Sequence, residues 1–580
     1  MILHDAATIA RYEAAGWWKQ NTVDSLFRAN VAASPSRVAL VDAPNRTTFA
    51  GGTPKELTYA QTDVAVDRLA AMLLAAGVGK DSIVLVQLPN CVEIAIAYLA
   101  CARIGAIASP ILLAYGEREI RRILRHLRPT AHLTLSTFKE LHPAATCLRI
   151  IREEELCTIV FALGDTAPEE SRPLGDITQG AYDCPRLSRY LADLRIDANE
   201  IVTLHWSSGT TGDPKCVPQT HNSWQANGGC CVDAGQIRRG ARLLAPMHLV
   251  HTAGHAGFFM PWLEVRGTLV LHHPFDMDLY ISQLEGYRIT YTVAAPAMLN
   301  ALLRSGVLDG HDLSALEGIL CGAAPLDPWM IDGYRERYGI EVVNAFGSTE
   351  GITLLSGPTI TNDPYRRARY FPRFRGSPNR AATSQPWNIR IAAVAETKLR
   401  DEAAAEISAP NVPGEFIFRS PALFPGYLTA NGELDRSDFD TEGYFRTGEI
   451  FEIAGPADQM DYFHYIDRLK DVINRGGQKI PAGELEAAIQ SHPKITEAAA
   501  VATRDERLGE RVCAVVVTHP NEMLTLGELV AYLRGAGVAT FMLPESMFIV
   551  QTLPRNATGK VLKRALAEQI ADQSPTVSDA

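Results

Sequence analysis

The order of apolar and polar residues alternates between helical and strand patterns over most of the chain. Apolar residues recur at helical spacing over 62–76 and 92–103, whereas 82–88 and 106–113 are short apolar runs typical of buried strands. Helices that alternate with buried strands favour layered, mostly parallel sheets. We therefore expect an α/β fold for the large N-terminal part of the chain.

The C-terminal part of the chain follows a different pattern. Thr525 and Glu528 form the sequence signature of a helix capping box. The pattern predicts helices over 484–491 and 525–535 and strands over 496–502, 511–518 and 546–553. This order predicts a small, mobile α+β domain, and we place the division between an N-terminal domain, 1–467, and a C-terminal domain, 468–580.

Three stretches follow neither pattern, namely 42–55, 166–185 and 357–385. The last is long for a loop inside a compact domain, which indicates a functional or mobile segment. Its ten residues 366–375 include five arginines with aromatic residues between them: Arg366, Arg367, Arg369, Arg373 and Arg375. We expect this part to be a solvated loop.

Composition and charge narrow the class of protein. The 580 residues are 47% hydrophobic and 21% charged, which is ordinary for a globular protein and excludes a disordered or fibrous chain. The net charge of −11 argues against a nucleic-acid partner. A membrane span is not expected, because Arg103, Gly105 and Pro110 interrupt the most apolar segment, 94–115.

The cysteines and the N-terminus indicate the compartment. The 10 cysteines are scattered and form no CxxC pair, a usage typical of reduced thiols. The N-terminal residues lack a basic flank followed by an apolar run, so no secretory signal is predicted. We expect a cytoplasmic protein.

The strongest chemical signal is a turn rich in hydroxyl groups and glycine that follows a predicted strand over 201–206. It reads Ser207-Ser208-Gly209-Thr210-Thr211-Gly212-Asp213-Pro214-Lys215. Backbone N–H and side-chain hydroxyl groups in such a turn can surround phosphate oxygens, and the lysine adds a positive charge. The turn differs from the common P-loop, since Pro214 stands where that motif requires glycine. It predicts a phosphate-binding site of another kind.

This turn and four further segments together resemble the adenylate-forming superfamily, which includes acyl-CoA synthetases, aryl-acid ligases, luciferases and peptide-synthetase adenylation domains. The segments are 344–351 (Asn-Ala-Phe-Gly-Ser-Thr-Glu-Gly), 443–449 (Gly-Tyr-Phe-Arg-Thr-Gly-Glu), 467–477 (Asp-Arg-Leu-Lys-Asp-Val-Ile-Asn-Arg-Gly-Gly) and 554–560 (Pro-Arg-Asn-Ala-Thr-Gly-Lys). The resemblance covers nearly the whole chain.

The resemblance implies a two-step reaction. A carboxylate attacks the α-phosphorus of ATP to form an acyl-adenylate and pyrophosphate, and a thiol then displaces AMP. The cofactors so implied are ATP, Mg²⁺ and, as cosubstrate, coenzyme A. Glu350 resembles the Mg²⁺ carboxylate of the family, and Lys560 resembles its catalytic lysine, which bridges carboxylate and phosphate oxygens. Lys470 matches the hinge at which the small domain rotates between the two steps.

The resemblance also implies an ATP site. Phe346 matches the position that stacks on adenine, and Arg468 fits the ribose and phosphate region. Glu449 matches the ribose position, where the family usually has Asp, so the longer side chain must be accommodated. The implied ATP-binding residues are Ser207, Ser208, Gly209, Thr210, Thr211, Gly212, Lys215, Gly322, Ala323, Ala324, Asn344, Ala345, Phe346, Gly347, Ser348, Thr349, Glu449, Arg468 and Lys560.

An acyl pocket is implied around a histidine-rich segment after Pro246. His251 best fits the family histidine that begins the pocket helix and acts in catalysis, although His248 is an alternative. The segment 248–260 contains no Asp or Glu, which disfavours an amino acid, because its ammonium group would be buried unpaired. Thr252 replaces the Asn of ligases for 2-hydroxybenzoates, so those acids are also disfavoured. The implied substrate-binding residues are His251, Thr252, Gly254, Gly322, Gly347 and Ser348.

Several alternatives remain open at this stage. We expect an acyl-CoA synthetase for a small carboxylic acid that is aromatic, alicyclic or otherwise bulky and apolar. The first alternative is a stand-alone adenylating enzyme that loads a carrier protein. A catalytically inactive binding protein is disfavoured by Lys215, Glu350 and Lys560. A monomer and a homodimer are both possible, and the arginines of 366–375 could instead contact the phosphates of coenzyme A or a partner subunit.

Overall fold

The computed structural model describes residues 1–179, 184–207, 214–322, 324–351, 353–374, 390–393, 395–456, 461–476, 478–505, 507–555, 561–571 and 576–577. The chain divides into two compact units, which we call the first and the second unit. The first contains Met1–Glu396 and Arg419–Gly443, and the second contains Thr397–Phe418 and Tyr444–Ala580.

The described helices and strands have the following bounds. The α-helices are α1 (Ala6–Ala14), α2 (Val23–Ala33), α3 (Tyr59–Ala75), α4 (Val92–Ile104), α5 (Glu117–Leu127), α6 (Pro143–Glu153), α7 (Pro185–Asp193), α8 (His221–Ala234), α9 (Thr252–Gly254), α10 (Met260–Val265), α11 (Met277–Gly286), α12 (Pro296–Ser305), α13 (Pro328–Tyr338), α14 (Pro364–Arg369), α15 (Ala482–Gln490), α16 (Leu526–Gly535) and α17 (Lys563–Ala571). The strands are β1 (Val38–Val41), β2 (Glu56–Thr58), β3 (Ile83–Gln87), β4 (Ile107–Pro110), β5 (Ala131–Leu135), β6 (Ile159–Leu163), β7 (Arg172–Pro173), β8 (Ile201–Ser207), β9 (Lys215–Thr220), β10 (Arg242–Ala245), β11 (Thr268–Leu271), β12 (Tyr291–Ala294), β13 (Gly318–Gly322), β14 (Glu341–Gly347), β15 (Thr353–Ser356), β16 (Tyr370–Pro372), β17 (Glu396–Arg400), β18 (Gly414–Arg419), β19 (Tyr427–Leu428), β20 (Leu434–Asp435), β21 (Phe445–Ile453), β22 (Tyr462–Arg468), β23 (Ile473–Arg475), β24 (Gln478–Ile480), β25 (Ile495–Asp505), β26 (Gly509–Thr518), β27 (Ser546–Ile549) and β28 (Thr576–Val577).

Two large sheets form the first unit, and most of their strands are parallel. One has nine strands in the order β20-β19-β9-β8-β4-β3-β5-β6-β7, and the other has eight in the order β15-β14-β13-β12-β10-β11-β1-β2. Antiparallel pairs occur where β9 meets β8 and β19, where β19 meets β20, and at the edge strands β2 and β15. The predicted α/β class, with a large N-terminal and a smaller C-terminal part, is confirmed.

Helix α3 and helix α4 show how the sequence pattern produces this layering. A capping box of Thr58 and Gln61 begins α3, which covers most of the predicted helix 62–76. Every residue of α4 is buried, and the helix ends at Gly105, whose φ of 72° suits glycine and turns the chain into β4. In the described part of the chain no helix is long and apolar enough to cross a membrane.

Apolar side chains from both faces of the sheets form the core of the first unit. One cluster joins α5 and α6 to β3, β6 and β8, and a second joins α11, α12 and α13 to β10 and β13. The 10 cysteines, all of them within the described ranges, are free, as the scattered spacing predicted. Cys216 is 1% exposed and lies in the first of these clusters.

Two smaller sheets form the second unit. One contains β17, β18, β21 and β22, and the other has the order β24-β23-β26-β27-β28 with β25 paired to β26. The predicted capping box of Thr525 and Glu528 begins α16. Strand β27 ends at Ile549, earlier than the predicted 553. The unit contains both sides of the predicted domain boundary at 467/468, so the place where the chain rotates remains a prediction.

The stretch 42–55, predicted to be irregular, is held by a buried ion cluster. Arg46, 2% exposed, donates from Nη1 to Asp42 at 2.8 Å and from both Nη atoms to Glu93 at 2.7 and 2.8 Å. Lys55 Nζ lies 2.9 Å from Glu93. Removing one partner of such a buried pair costs about 3–5 kcal/mol. The cluster therefore fastens this stretch to the start of α4.

The expectation of a solvated loop over the arginine-rich segment is wrong for 366–372, which lies in helix α14 and strand β16. Helix α14 begins at Pro364 and is capped by the side chain of Asp363, an N-terminal signal that the sequence contains. Arg367 is fully buried and ion-paired with Glu341. Arg375 lies outside the described residues.

Candidate active site

The predicted phosphate loop joins β8 to β9 in the first unit. Ser207 ends β8 and lies opposite Lys215, the first residue of β9, in the antiparallel register. The structure therefore holds the two ends of the predicted loop side by side. The loop residues between them that we assign to ATP lie outside the described residues: Ser208, Gly209, Thr210, Thr211 and Gly212.

Two side chains that follow β18 in the sequence hold Lys215. Its Nζ lies 4.1 Å from the centroid of the Tyr427 ring and 3.1 Å from Asp438 Oδ2. The side chains of Lys215 and Asp438 are 35% and 41% exposed. An ion pair with this exposure contributes about 0–1 kcal/mol. An incoming phosphate can therefore replace Asp438 at little cost.

Gly426 places Tyr427 against β9. Its φ is 142°, and a Cβ there would lie 2.9 Å from Arg436 Cγ. A side chain at this position is therefore excluded. The next residue, Leu428, pairs with Cys216 in the antiparallel register of β19 and β9.

Glu350, the predicted Mg²⁺ ligand, lies in the loop between β14 and β15 and is 9% exposed. Its Oε1 accepts a hydrogen bond from the Tyr427 hydroxyl at 2.8 Å, and its backbone oxygen accepts one from Phe424 N at 2.8 Å. Gly351 has φ 106°, and a Cβ there would lie 2.0 Å from Ala422 O. The loop is thus fastened on both sides of the carboxylate.

The surroundings of Glu350 fit a hard divalent cation. Among the described residues, none donates a hydrogen bond to Oε2 of Glu350. Ser348 Oγ and Gln219 Oε1 are buried and have no hydrogen-bond partner in the described part of the chain. Carboxylate, hydroxyl and amide oxygens are the ligands that Mg²⁺ and its bound waters prefer. Burial, and then the Glu350 carboxylate, raise the pKa of Tyr427, so its hydroxyl remains a donor.

Strands β13 and β14 lie in parallel register where the adenine and acyl residues are predicted. Gly322 lies beside Ala345, and a Cβ on Gly322 would be 2.2 Å from Ala345 O. Asn344 is buried, and its Nδ2 donates to the backbone oxygens of Arg367 and Ala368 at 3.0 and 2.9 Å. The Asn344 side chain thus fastens α14 to the sheet through both hydrogens of its Nδ2.

The remaining residues of this region lie at the end of β14. Phe346 is half-buried, and its ring centroid is 5.9 Å from that of Phe371. Gly347 is exposed, Ala324 is exposed, and the backbone oxygen of Thr349 accepts a hydrogen bond from Gln219 at 3.1 Å. Ala323 lies outside the described residues. The contact of Phe346 with adenine remains a prediction.

His251 begins the helical segment of the predicted acyl pocket. Helix α9 starts at Thr252, continues as a π-helix over His255–Phe259 and then as α10. A Cβ on Gly254 would lie 2.2 Å from His248 O, so the helix requires glycine there. Burial, and then His248, lower the pKa of His251 to about 4, so its imidazole is neutral at pH 7.

His248 lies near His251, whereas His255 is packed among aromatic side chains. The ring of His248 lies 6.3 Å from that of His251, and burial lowers its pKa. His255 is 1% exposed, and its ring lies 4.3 Å from Trp224 and 4.6 Å from Phe259. His255 is therefore a core residue, whereas His251 and His248 both remain candidates for the pocket histidine.

Glu449 and Arg468 face each other in the second unit, across the antiparallel pair β21 and β22. Arg468 Nε lies 3.3 Å from Glu449 Oε1, and the Tyr465 hydroxyl donates to Oε2 at 3.1 Å. Burial raises the pKa of the Glu449 carboxyl to about 7, although Arg468 and Tyr465 oppose this rise. The carboxyl therefore titrates near neutral pH.

This pKa predicts a pH dependence of ATP binding. An ionised carboxylate accepts hydrogen bonds from ribose hydroxyls more strongly than a neutral carboxyl. We expect the KM for ATP to fall as the pH rises from 6 to 8, because Glu449 loses its proton near pH 7. Glu449→Gln is the control, since ATP itself titrates equally with both proteins. A wild-type profile that matches the profile of the variant would refute the assignment of Glu449 to ribose.

Lys470 and Lys560 are the two residues predicted to act in the C-terminal domain, and the structure describes only the first of them. Lys470 lies in an exposed turn directly after β22, and its amide donates no hydrogen bond to a described residue. Lys560 lies outside the described residues. The hinge at Lys470 and the catalytic role of Lys560 remain predictions.

Sequence reasoning missed Tyr427, Asp438 and Tyr465. Tyr427 and Asp438 are more than 200 positions from Lys215, and neither lies in a motif that names its function. Tyr465 lies three residues before Arg468 in β22, a strand that no sequence pattern had predicted. Their roles follow from distances that the fold creates.

Asp438→Asn is expected to lower the KM for ATP by about two- to fivefold, the factor that corresponds to a surface ion pair of about 0.5–1 kcal/mol. The reason is that phosphate then need not displace a carboxylate from Lys215. Asp312→Asn is the matched control, since Asp312 forms an exposed ion pair with Arg288 instead of with Lys215. An unchanged or higher KM in Asp438→Asn would contradict this interpretation.

Comparison with known proteins identifies the family of this chain. The sequence profile of the AMP-binding enzyme family matches residues 27–428, and that of the AMP-binding enzyme C-terminal domain matches 484–560. A medium-chain fatty-acid–CoA ligase of Escherichia coli is 29% identical over 97% of this chain and 92% of its own. A salicyl-AMP ligase / salicyl-S-ArCP synthetase of Mycobacterium tuberculosis is 28% identical over 97% and 93%.

The fold of this chain is also similar to that of solved structures. ATP-bound MatB of Rhodopseudomonas palustris has a TM-score of 0.75 at 22% identity and covers 95% of this chain and 99% of its own, a likeness of fold alone. MbtA of Mycobacterium smegmatis, without ligand, has a TM-score of 0.67 at 25% identity, with coverage of 97% and 98%. Since the profile match spans more than half of the sequence, the chain belongs to the AMP-binding enzyme family.

Proposed function

We propose that this protein uses ATP to convert a carboxylic acid to an acyl-adenylate and then transfers the acyl group to coenzyme A. Membership of the AMP-binding enzyme family supports the first step. The observation that carries the proposal is that Lys215 and Glu350 contact the same side chain, Tyr427, through its face and its hydroxyl. A cation and a hard oxygen ligand on two sides of one residue suit a nucleotide phosphate with its metal.

The chemistry requires these groups. A carboxylate that attacks the α-phosphorus approaches a triphosphate of about four negative charges, so positive charge must offset the repulsion. Lys215 would contribute a fixed cation, and Glu350 would hold Mg²⁺. Bound Mg²⁺ would supply charge neutralisation at the phosphates. His251, neutral at pH 7, would form the wall of the acyl site without adding a charge.

The proposed acid is bulky and apolar. Thr252 and Gly254 begin the pocket helix, and Gly322, Gly347 and Ser348 are the other small residues assigned to the pocket. No acidic side chain within 248–260 is available to pair with an ammonium group. A small-residue wall with neutral imidazoles favours an aromatic, alicyclic or fatty acid over an amino acid.

Coenzyme A is the proposed thiol, and a carrier protein is the second candidate. The E. coli relative is named as a CoA ligase, which supports the first. The M. tuberculosis relative, named as a salicyl-S-ArCP synthetase, covers as much of this chain at nearly the same identity, which supports the second.

The test is acid-dependent exchange of labelled pyrophosphate into ATP over a panel of benzoates, cinnamates, naphthoates, alicyclic acids, fatty acids and amino acids. A bulky apolar acid should give the highest kcat/KM. Thioester formation is then measured with coenzyme A and with a phosphopantetheinylated carrier protein. Exchange with no acid of the panel would refute the proposal, and thioester on the carrier alone would replace coenzyme A by the second candidate.

Glu350→Gln is expected to raise the Mg²⁺ concentration for half-maximal exchange by about tenfold or more, because a charged hard ligand is lost. The measurement is pyrophosphate exchange over a range of Mg²⁺ at saturating ATP. Glu317→Gln is a control, since Glu317 forms an exposed ion pair with Arg238 instead. The same Mg²⁺ requirement in Glu350→Gln and wild type would remove Glu350 from the metal site.

A further inference from the structure

Tyr427 makes a different contact with each of two predicted ATP-site residues. Its hydroxyl donates to Glu350 Oε1 at 2.8 Å, and Lys215 Nζ lies 4.1 Å above its ring. The tyrosine itself is 8% exposed, so neither contact is a chance encounter at the surface. All three residues belong to the first unit.

The fold leaves Tyr427 little freedom to move. Gly426, at φ 142°, cannot be replaced without a clash with Arg436, and Leu428 is paired to β9. Phe424 N binds the backbone oxygen of Glu350 at 2.8 Å, which fastens the same segment to the Glu350 loop. The segment 424–428 therefore fixes the tyrosine relative to both of its partners.

We propose that Tyr427 is a positioning residue that orients the Glu350 carboxylate for the metal through its hydroxyl and holds Lys215 for the phosphates through its ring. This inference rests on the proposed function, since it takes Glu350 as the metal ligand and Lys215 as the phosphate lysine. It adds that the Tyr427 side chain sets the distance between Glu350 and Lys215.

The two contacts act on different ligands and can be separated. A hydrogen bond to one carboxylate oxygen leaves the other oriented toward a cation, and the loss of such an outer partner typically costs about 10–100-fold in metal affinity. A cation over an aromatic face contributes about 0.5–1 kcal/mol at an exposed site, or about two- to fivefold in affinity. The hydroxyl should therefore govern the metal, and the ring should govern the nucleotide.

The experiment measures binding rather than turnover. Mn²⁺ binding is followed by electron paramagnetic resonance in the presence of α,β-methylene-ATP, which cannot transfer AMP. Metal-free binding of the same analogue is measured by calorimetry. The variants of the full chain are Tyr427→Phe, Tyr427→Leu and Glu350→Gln. Tyr334→Phe is the matched control, since its buried hydroxyl donates to Leu299 O at 3.0 Å away from this site.

We expect Tyr427→Phe to weaken Mn²⁺ binding by about tenfold or more and to leave metal-free analogue binding within about twofold. Tyr427→Leu should show the same loss for Mn²⁺ and, in addition, a two- to fivefold loss for the analogue, about the strength of the missing ring contact. Tyr334→Phe should match the wild type in both measurements.

The possible failures are distinguishable. Wild-type Mn²⁺ binding in Tyr427→Phe, with weakened binding in Glu350→Gln, would overturn the inference alone. Wild-type Mn²⁺ binding in Glu350→Gln would overturn both the proposed metal ligand and the inference that depends on it. Equal losses for metal and analogue in Tyr427→Phe would make the tyrosine merely structural and would also overturn the inference.

A second variant keeps the test decisive if Tyr427→Phe does not fold. Glu350→Asp retains the charge but is one methylene shorter, so its carboxylate cannot reach the Tyr427 hydroxyl from the same backbone position. We expect the same tenfold or greater loss of Mn²⁺ affinity with metal-free analogue binding unchanged. Undiminished Mn²⁺ affinity in Glu350→Asp would contradict a role for the tyrosine hydroxyl.

Discussion

Lys560→Ala is expected to slow acid-dependent pyrophosphate exchange by about 10²–10³, the usual loss when one preorganised charge donor is removed from a transition state. The motif around Lys560 assigns it to the adenylation step, in which negative charge moves between the carboxylate and the α-phosphate. The thioester step needs no such donor at that phosphate. Supplied with synthetic acyl-adenylate and coenzyme A, the variant should therefore form thioester at nearly the wild-type rate.

The control for this variant is Arg564→Ala. Arg564 is 80% exposed and, among the residues that the structure describes, pairs with Glu568 one helical turn later. Its loss therefore removes one positive charge from the same part of the chain. We expect Arg564→Ala to retain both half-reactions. If Lys560→Ala is equally slow from acyl-adenylate, the lysine is structural or serves both steps. If it adenylates normally, the assignment by resemblance is wrong at this residue.

Lys470→Pro is expected to reduce thioester formation by about 10² or more while acyl-adenylate still forms. Proline fixes φ near −65° and restricts the preceding residue, so a rotation of the chain at this position would be blocked, and a misplaced site typically costs about 10² in rate. The structure makes Lys470 a favourable place for the test, since its amide donates no hydrogen bond to a described residue. Proline therefore removes no backbone hydrogen bond that the described fold contains.

Lys470→Ala separates the backbone from the side chain. It removes the charge but leaves the backbone free, and it should retain thioester formation if rotation is what matters. Burst formation of acyl-adenylate and the steady-state rate of thioester formation are measured for both variants. Equal loss of both half-reactions in Lys470→Pro would mean that the hinge lies elsewhere or that the fold is disturbed.

The elements most predictable from sequence were those with strong local signals. The apolar spacing over 62–76 and the capping box at Thr525 predicted α3 and α16 within a few residues, because both signals act within one or two helical turns. Helix α14 was missed although Asp363 and Pro364 form a helix start, since the surrounding arginines had favoured a solvated loop. At this place the capping residue Asp363 determined the local structure, and the arginine-rich composition did not.

The candidate site was predictable in its motifs and unpredictable in its contacts. Lys215 and Glu350 were identifiable because each lies in a motif whose chemistry is recognisable from a few adjacent residues. Their common partner, Tyr427, and the counter-charge Asp438 are distant from them in sequence. The pairing of β9 with β19 brings Tyr427 near, and Asp438 follows β20, which pairs with β19. The ion cluster around Arg46 could not be predicted either, because Glu93 is distant in sequence and belongs to α4.

The measurement that tests the central claim most directly follows an oxygen atom of the acid. The best acid of the panel is labelled with ¹⁸O in its carboxylate and incubated with the protein, ATP, Mg²⁺ and coenzyme A, and the products are analysed by mass spectrometry. Attack of the carboxylate on the α-phosphorus predicts AMP that carries one ¹⁸O atom, unlabelled pyrophosphate and one equivalent of acyl-CoA. Formation of ADP with ¹⁸O in inorganic phosphate, or of unlabelled AMP, would contradict activation through an acyl-adenylate.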